Sequence, residues 1–336
     1  GTAVTDGVTV AGNLSVDGGT IKLDGNYPVG TDNVALGNTA LDSITSGAGN
    51  IAIGDSAATA LTTGSNAIAI GRDAMSGAVF TGTDAIGVGR STLASLTSGS
   101  SNIAIGALAQ NATTSGIRNV AIGEAALGSN TTASKNTAVG YLSLNLNTTG
   151  YDNTSIGYES LKSNTTGALN VAVGKDALFA NTTASGQVAV GVDALTATTT
   201  GANNTAVGYQ AGFSNTTGSN NVSLGYQSSY SSTTAGSNAV LGTQALYSNT
   251  TGQENVAVGY QSMYTNATGV NNVAVGRRAL YLNTGSNNTA LGHQSLYNNS
   301  SGTNNTAVGL SALLANTTAS NNTAVGYRSL QANTAA

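Results

Sequence analysis

The stretch that decides the fold is Asn-Thr-Ala-Val-Gly at residues 136–140, which is followed by Asn-Thr-Thr-Gly at residues 147–150. Variants of this pattern recur 18 times along the 336-residue chain. The glycines that close the first motif are spaced by 17 residues, except for 18 residues from Gly71 to Gly89 and 16 from Gly276 to Gly292. A fixed period is the signature of a solenoid, in which successive repeats stack on one another.

Each repeat is numbered here from its anchor glycine, which is position 0. Position −1 is Val, Ile or Leu in all 18 copies, position −2 is Ala in 14, position −4 is Asn in 15, and position +4 is Leu in 12. The run before the glycine is typical of a short strand, and the small residue and Leu at +3 and +4 indicate a second one. The anchor glycine permits a positive φ, and Asn-Thr-Thr-Gly is typical of a turn. The sequence predicts an all-β, parallel β-solenoid of 18 coils, with two strands and two turns in each coil.

The repeats divide the chain into two regions. Residues 33–336 form the predicted solenoid, whereas residues 1–32 lack the repeat and contain short apolar runs separated by Gly, Asn and Asp. We expect residues 1–32 to form an N-terminal β cap or connector that shields the open edge of the first coil. In the solenoid, stacking in register places the Asn residues of position −4 one above another. They are predicted to form a ladder of side-chain amides.

Composition limits the classes of function. Only 7% of the residues are charged and the formal net charge is −4, so the ten Lys and Arg residues cannot form a stripe that follows a nucleic-acid backbone. No apolar run of 18 residues is present, and membrane insertion is therefore not expected. Cysteine is absent, which excludes disulfides. Because residue 1 is Gly rather than Met, the chain is expected to be a fragment or a processed product.

The strand before the anchor glycine is non-polar on both faces, with large residues on one and Ala or Gly on the other. A strand of this kind is usually buried on both faces. One face can line the interior of the coil, and the other is predicted to meet further copies of the chain. A parallel homotrimer is the favoured assembly, although the pattern itself does not fix the number of chains.

The motif Asn-x-[Val/Thr]-Ala-[Val/Ile]-Gly-x-x-[Ala/Ser]-Leu resembles the head repeats of trimeric autotransporter adhesins, and resembles more closely the long Asn-Thr-Thr-Gly-rich repeats of bacteriophage tail fibres. The resemblance covers residues 33–336. It implies a trimer of left-handed parallel β-rolls. The repeat of the adhesins is shorter, so a longer turn is expected here.

Two position-specific patterns are candidate functional sites. Acidic residues occupy position +2 in three successive coils, as Glu159, Asp176 and Asp193. Stacked carboxylates could bind a cation or cleave a polysaccharide, but a solvated edge is the favoured interpretation. Neither a catalytic site nor a cofactor is therefore expected. The single histidine, His293, excludes a histidine-rich metal site.

Aromatic residues occupy position +5 in six consecutive coils. These residues are Phe213, Tyr230, Tyr247, Tyr264, Tyr281 and Tyr297. A second, interrupted aromatic set lies at +1, with Arg277 and His293 among its tyrosines. Aromatic rings with polar tips suit sugars or a protein surface, so a host-surface glycan or protein is the candidate ligand. Packing along the edge of the solenoid is the favoured alternative.

The resulting interpretation is a structural, non-enzymatic fibre protein. A phage tail-fibre shaft or head that contributes to host attachment is the first hypothesis, and a bacterial surface adhesin or extracellular filament is the second. Either places the chain outside the cell, on a virion or a bacterial surface. An ice-binding solenoid is a minor third hypothesis, because Thr alternates with Val and Ile at position −3 and a uniform Thr face is therefore missing.

Overall fold

The computed structural model describes residues 30–334, and these residues form a parallel β-solenoid. Each coil contributes one strand of three residues, at positions −3 to −1. The 18 strands are β1 (Val34–Leu36), β2 (Ile51–Ile53), β3 (Ile68–Ile70), β4 (Ile86–Val88), β5 (Ile103–Ile105), β6 (Val120–Ile122), β7 (Thr137–Val139), β8 (Thr154–Ile156), β9 (Val171–Val173), β10 (Val188–Val190), β11 (Thr205–Val207), β12 (Val222–Leu224), β13 (Ala239–Leu241), β14 (Val256–Val258), β15 (Val273–Val275), β16 (Thr289–Leu291), β17 (Thr306–Val308) and β18 (Thr323–Val325). No helix occurs within the described range. The predicted cap lies almost wholly outside it, since residues 1–29 are not described.

The strands form one sheet in which each strand pairs, in parallel, with the strands of the coils before and after it. Equivalent positions lie side by side, as Val188 beside Val171 and Ala189 beside Ala172. The register holds across the 18-residue interval, where Ile68 pairs with Ile86, and across the 16-residue interval. The inserted and deleted residues are therefore absorbed in the turns, and the predicted solenoid with its 17-residue period is confirmed.

The prediction of a second strand at +3 and +4 is wrong. These positions lie in a turn in which +2 and +4 both have positive φ, as at Asp176 and Leu178, each with φ 54°. The turn keeps its bonds between coils, since the N–H of Leu178 donates to the carbonyl of Ala194 at 3.0 Å. Left-handed backbone costs a side-chain-bearing residue about 1–2 kcal/mol, whereas full burial of Leu gains about 1.5–3 kcal/mol. Burial of Leu178 is therefore large enough to offset the strain at that residue.

The anchor glycines have the positive φ that the sequence predicts, and they are also tightly packed. Gly174 has φ 134°, and a Cβ there would lie 2.5 Å from the carbonyl oxygen of Gly191 in the next coil. The positive φ disfavours a side chain at this position, and the short distance to the next coil leaves no room for one. The column of anchor glycines is thus a line along which the backbones of adjacent coils approach closely.

The interior is built from alanine, leucine and asparagine. Ala172 at −2 and Leu178 at +4 are fully buried, and equivalent residues stack above and below them. The predicted ladder at −4 is confirmed: the backbone N–H of Asn170 donates to Oδ1 of Asn153 at 3.0 Å, and Nδ2 of Asn153 donates to Oδ1 of Asn136 at 3.1 Å. Nδ2 of Asn153 also donates to the carbonyl of Gly167, 14 residues later, and closes the coil.

A second buried ladder runs through position +7, the first residue of the Asn-Thr-Thr-Gly motif. Nδ2 of Asn164 donates to Oδ1 of Asn147, and Nδ2 of Asn181 donates to Oδ1 of Asn164, both at 2.8 Å. Nδ2 of Asn164 also donates to the carbonyl of Gly167 within its own turn. The motif was predicted only as a turn. Its asparagine in fact points inward and links successive turns.

The outer face of the sheet carries Val, Ile or Leu at position −1 in every coil, and at position −3 Val or Ile in most coils and Thr in six. Positions −3 and −1 point away from the Ala-lined interior, and several of them remain exposed, such as Ile105 and Ile122, each 39% exposed. Because equivalent positions are in register, these side chains form two parallel columns along the sheet. A parallel sheet with an exposed aliphatic face is unusual, since both faces of such sheets are normally covered.

Candidate functional site

The six aromatic residues at +5, named here the aromatic strip, form one continuous stack. Ring centroids of neighbours lie 5.0–5.3 Å apart and the ring planes differ by 4–9°. The solenoid imposes this geometry, because equivalent residues of adjacent coils lie one coil spacing apart. The sequence prediction that these residues form a ladder along one edge is confirmed. Whether they contact a ligand stays a prediction.

The stacking determines which atoms of the aromatic strip a ligand could reach. Each inner ring, such as Tyr247 between Tyr230 and Tyr264, has an aromatic neighbour on both faces. The side chains are half-buried. A ligand would therefore meet the ring edges and the row of hydroxyl groups rather than the ring faces.

Beside the aromatic strip, position +2 carries a polar ladder that the sequence analysis missed. We name it the glutamine ladder. Each side chain donates to the one in the preceding coil, at donor–acceptor distances of 3.0–3.5 Å. In order of donation, its members are Arg278, Gln261, Gln244, Gln227, Gln210 and Asp193. A cation thus lies at the donor end and an anion at the acceptor end, so every amide points the same way along the solenoid axis.

Contacts between positions +2 and +5 join the two features. The guanidinium of Arg278 lies 5.3 Å from the ring centroid of Tyr281. In an earlier coil, Nζ of Lys162 at +5 lies 2.9 Å from Oε1 of Glu159 at +2. Because these positions are three residues apart in one turn, their side chains lie side by side. Coils 208–297 therefore present glutamine amides and tyrosine hydroxyls on the same edge.

The tyrosines at +1 are more exposed than those of the aromatic strip. Tyr141 and Tyr158 stack at 5.3 Å and are 42% and 49% exposed, and Tyr209 and Tyr226 stack at 5.6 Å. Further along the column, Arg277 lies 5.8 Å from the ring of Tyr260, and its Nη1 is 3.0 Å from Nε2 of His293. The sequence analysis ranked this column second because it is interrupted, but it is the more accessible aromatic surface.

The three acids at +2 stack as expected, yet each interacts with a different neighbour. Glu159 pairs with Lys162, Oδ2 of Asp176 lies 3.3 Å from Nζ of Lys175, and Oδ2 of Asp193 accepts from Gln210. The Asp176 carboxylate raises the pKa of Lys175, mainly by accepting its hydrogen bond. No group of three or more His, Cys, Asp or Glu side chains in residues 30–334 is arranged to hold a metal ion. The carboxylates are therefore arranged as an edge compensated by lysines and an amide.

Replacing Glu159, Asp176 and Asp193 together with Asn is expected to leave the fold intact. The stacked acids repel one another, and Asn tolerates the positive φ of 52–57° at these three positions, so the melting temperature should change little or rise slightly. Circular dichroism melting checks this outcome. A glycan-cleaving activity that is present in the native chain and lost in the triple variant would contradict the non-enzymatic interpretation.

Burial changes the acidity of two tyrosines of the aromatic strip. Loss of solvation, reinforced by neighbouring tyrosines, raises the pKa of Tyr247 and of Tyr281 above the ordinary value of 10.0. A group whose pKa is higher in the folded state contributes stability that is fully present below its unfolded pKa. That contribution is lost as the pH rises through the folded pKa.

We therefore expect the melting temperature to be insensitive to these groups below about pH 10 and to fall at higher pH. The double variant Tyr247→Phe/Tyr281→Phe cannot ionise at these positions, and its melting temperature should fall less steeply. Melting curves recorded between about pH 8 and pH 12 measure how steeply the melting temperature falls with pH in the native protein and in the double variant. Equal slopes for the two proteins would contradict the predicted role of these hydroxyl groups.

No family model matches the chain, and no curated protein is significantly similar to it. No helix in the described part of the chain is long and apolar enough to cross a membrane.

Proposed function

We propose that this chain is a structural, non-catalytic segment of an extracellular fibre, comparable to the shaft or head of a bacteriophage tail fibre, and that it contributes to attachment to a host surface. The observation that carries the proposal is the 18-stranded parallel sheet with an uncovered aliphatic face. Such a sheet combines a long, regular axis with a surface that favours self-association.

The length of the stack suits a fibre. Between β1 and β18 the chain completes 17 circuits, and adjacent strands in a sheet lie about 4.8 Å apart, so the solenoid extends roughly 80 Å. Each coil contacts its neighbours through backbone hydrogen bonds, two asparagine ladders and the buried leucines. A structure with the same contacts in every coil transmits load along its axis and has no need of a central globular core.

The uncovered face supports assembly into a parallel homotrimer. The columns at −1 and −3 run the length of the sheet, so a second copy in parallel orientation can match them coil by coil. Covering this face would also give the parallel sheet the burial on both faces that such sheets normally have. The choice of three chains, and of left-handed winding, comes from the resemblance to adhesin heads and phage fibres described above.

The edge of coils 208–297 is the proposed contact with the host surface. It presents, in each coil, an aromatic hydroxyl or ring edge beside a glutamine amide or the Arg278 guanidinium. These groups donate and accept hydrogen bonds at a regular spacing, and in an oligomer each edge is present in several copies. Weak contacts repeated in this way gain strength through multivalency. A surface glycan or a protein could supply the matching groups.

The triple variant Tyr247→Leu/Tyr264→Leu/Tyr281→Leu tests this contact. Leucine keeps much of the apolar area but removes the hydroxyl and the flat ring, so the chain should still fold and assemble. We expect adsorption to a panel of bacterial cells to fall by about tenfold or more, since several weak contacts are lost at once. Flow cytometry of the labelled protein measures adsorption, and light scattering measures assembly.

A matched control variant is Tyr141→Leu/Tyr158→Leu, which removes stacked tyrosines from another column and from earlier coils. This control should adsorb like the native protein. Unchanged adsorption of the triple variant together with a lower melting temperature would assign the aromatic strip to stability alone. The attachment site would then lie elsewhere on the chain.

A further inference from the structure

The apolar interior is interrupted at one place along the axis. One cluster of buried apolar residues ends at Ala211, and the next begins at Val240. At position +4, where 12 coils have Leu, two successive coils have Gly212 and Ser229. The leucine column is therefore broken across two coils, although the sheet continues through them without a change in register.

A cavity lies at this break. Its lining includes Leu195, Gly212, Asn215, Ser223, Ser229 and Ser232, and no charged side chain is among its lining residues. The centre of a water-sized sphere can occupy about 10 Å³ of it, which is close to the ~10–15 Å³ needed to hold a single water molecule. The cavity is thus polar on several sides and matches one small neutral molecule in size.

Two buried polar atoms at the cavity have no hydrogen-bond partner among the described residues. They are Oδ1 of Asn215 and Oγ of Ser229, whose residues are only 2% and 3% exposed. In several coils the Oδ1 at +7 accepts from the asparagine of the next coil, as Asn147 does from Asn164, although Asn181, Asn249 and Asn316 share the unpartnered Oδ1 of Asn215. The coil after Asn215 has Ser232 at this position, and the shorter side chain does not supply that bond. Buried polar atoms without partners are strongly disfavoured.

We propose that one water molecule is bound inside the solenoid at this cavity, bridging Asn215 and Ser229. The water donates one hydrogen to Oδ1 of Asn215 and accepts the hydroxyl hydrogen of Ser229. Ser232 lines the same cavity and already accepts from Nδ2 of Asn249 at 3.3 Å, so its hydroxyl oxygen or hydrogen can complete the shell. Buried waters commonly make about three such bonds.

A neutral ligand fits this site better than an ion. Burying a charge in a neutral lining carries a large desolvation cost, whereas water exchanges its hydrogen bonds for equivalent ones. The same argument explains why the serines are acceptable in the interior. They replace the missing leucine contacts with a hydrogen-bonded network that includes the water.

A crystal structure of the full chain at a resolution that shows ordered waters tests the proposal. We expect a single peak within about 2.5–3.2 Å of both Oδ1 of Asn215 and Oγ of Ser229. In the variant Ser229→Ala this peak should weaken or disappear. Alanine is compatible with the backbone here, because Ala58 occupies the equivalent position with φ 51° and is buried.

The control variant is Ser228→Ala in the same coil. Its hydroxyl donates to the carbonyl of Gly225 at 3.1 Å and does not line the cavity, so the water peak should remain. No peak in the native protein, or Asn215 and Ser229 bonded directly to each other, would overturn the proposal.

Discussion

Replacing Gly174 with Ala is expected to destabilise the solenoid by about 2–4 kcal/mol, measured by guanidinium denaturation followed by circular dichroism. Two effects add together. The φ of 134° belongs to a region that only glycine occupies readily, and the new Cβ would lie 2.5 Å from the backbone oxygen and 2.7 Å from the carbonyl carbon of Gly191. The contact is with backbone, which can move only if the adjacent coils separate.

The variant Gly186→Asn is the matched control. Gly186 has φ 71°, and the equivalent positions of the next two coils are occupied by Asn203 and Asn220, with φ 58° and 60°. Its nearest contact would be the Oδ1 of the Asn203 side chain, which can rotate away. The expected change is within about 0.5 kcal/mol. If the variants at Gly174 and Gly186 lost similar amounts of unfolding free energy, close packing of the anchor column would not be the cause of the destabilisation.

Placing charges on the outer face of the sheet is expected to abolish assembly. The proposed variant is Ile105→Asp/Ile156→Asp/Val207→Asp, in which each changed residue is 39–41% exposed in the single chain. The three positions lie three coils apart, about 14 Å, so repulsion within one chain is largely screened. In an oligomer each carboxylate would be buried without a partner, at a cost of several kcal/mol.

Light scattering distinguishes the two possible outcomes. The native protein should have a multiple of the 32.9 kDa chain mass, and the variant should be reduced to the mass of one chain or unfold. The control Ser115→Asp/Thr166→Asp/Thr217→Asp adds the same charges to exposed turn positions of the same three coils and should assemble normally. A native protein that is folded at the mass of one chain would contradict the proposed oligomer.

The fold could be predicted from the sequence because one short pattern repeats with little variation. The β-branched residues before each anchor glycine indicate the strand, and stacking in register then dictates the ladder at Asn153 and Asn170 and the ring spacing from Phe213 to Tyr297. These features depend only on the period and on which position is occupied. No long-range contact has to be deduced, because the partner of each residue is its own equivalent.

Features that depend on backbone direction within the coil could not be predicted in the same way. The small residue and Leu at +3 and +4 are typical of a strand, and only the burial of Leu178 shows why this residue has positive φ instead. The Asn-Thr-Thr-Gly motif predicts a turn at Asn164 but not the inward orientation of its side chain. That orientation follows from the same backbone with positive φ. The glutamine ladder was missed because Gln210 and its neighbours look like ordinary surface residues until their donor direction is seen.

The pairing of every strand with only the strands of adjacent coils has a consequence for the evolution of the chain. A duplication or deletion of 51 nucleotides in the gene, corresponding to one 17-residue coil, would create no new type of contact and remove none. Unequal recombination between repeats can therefore change the length in steps of about 4.8 Å while the fold is retained. Axial reach could then be selected independently of the surface chemistry of any single coil.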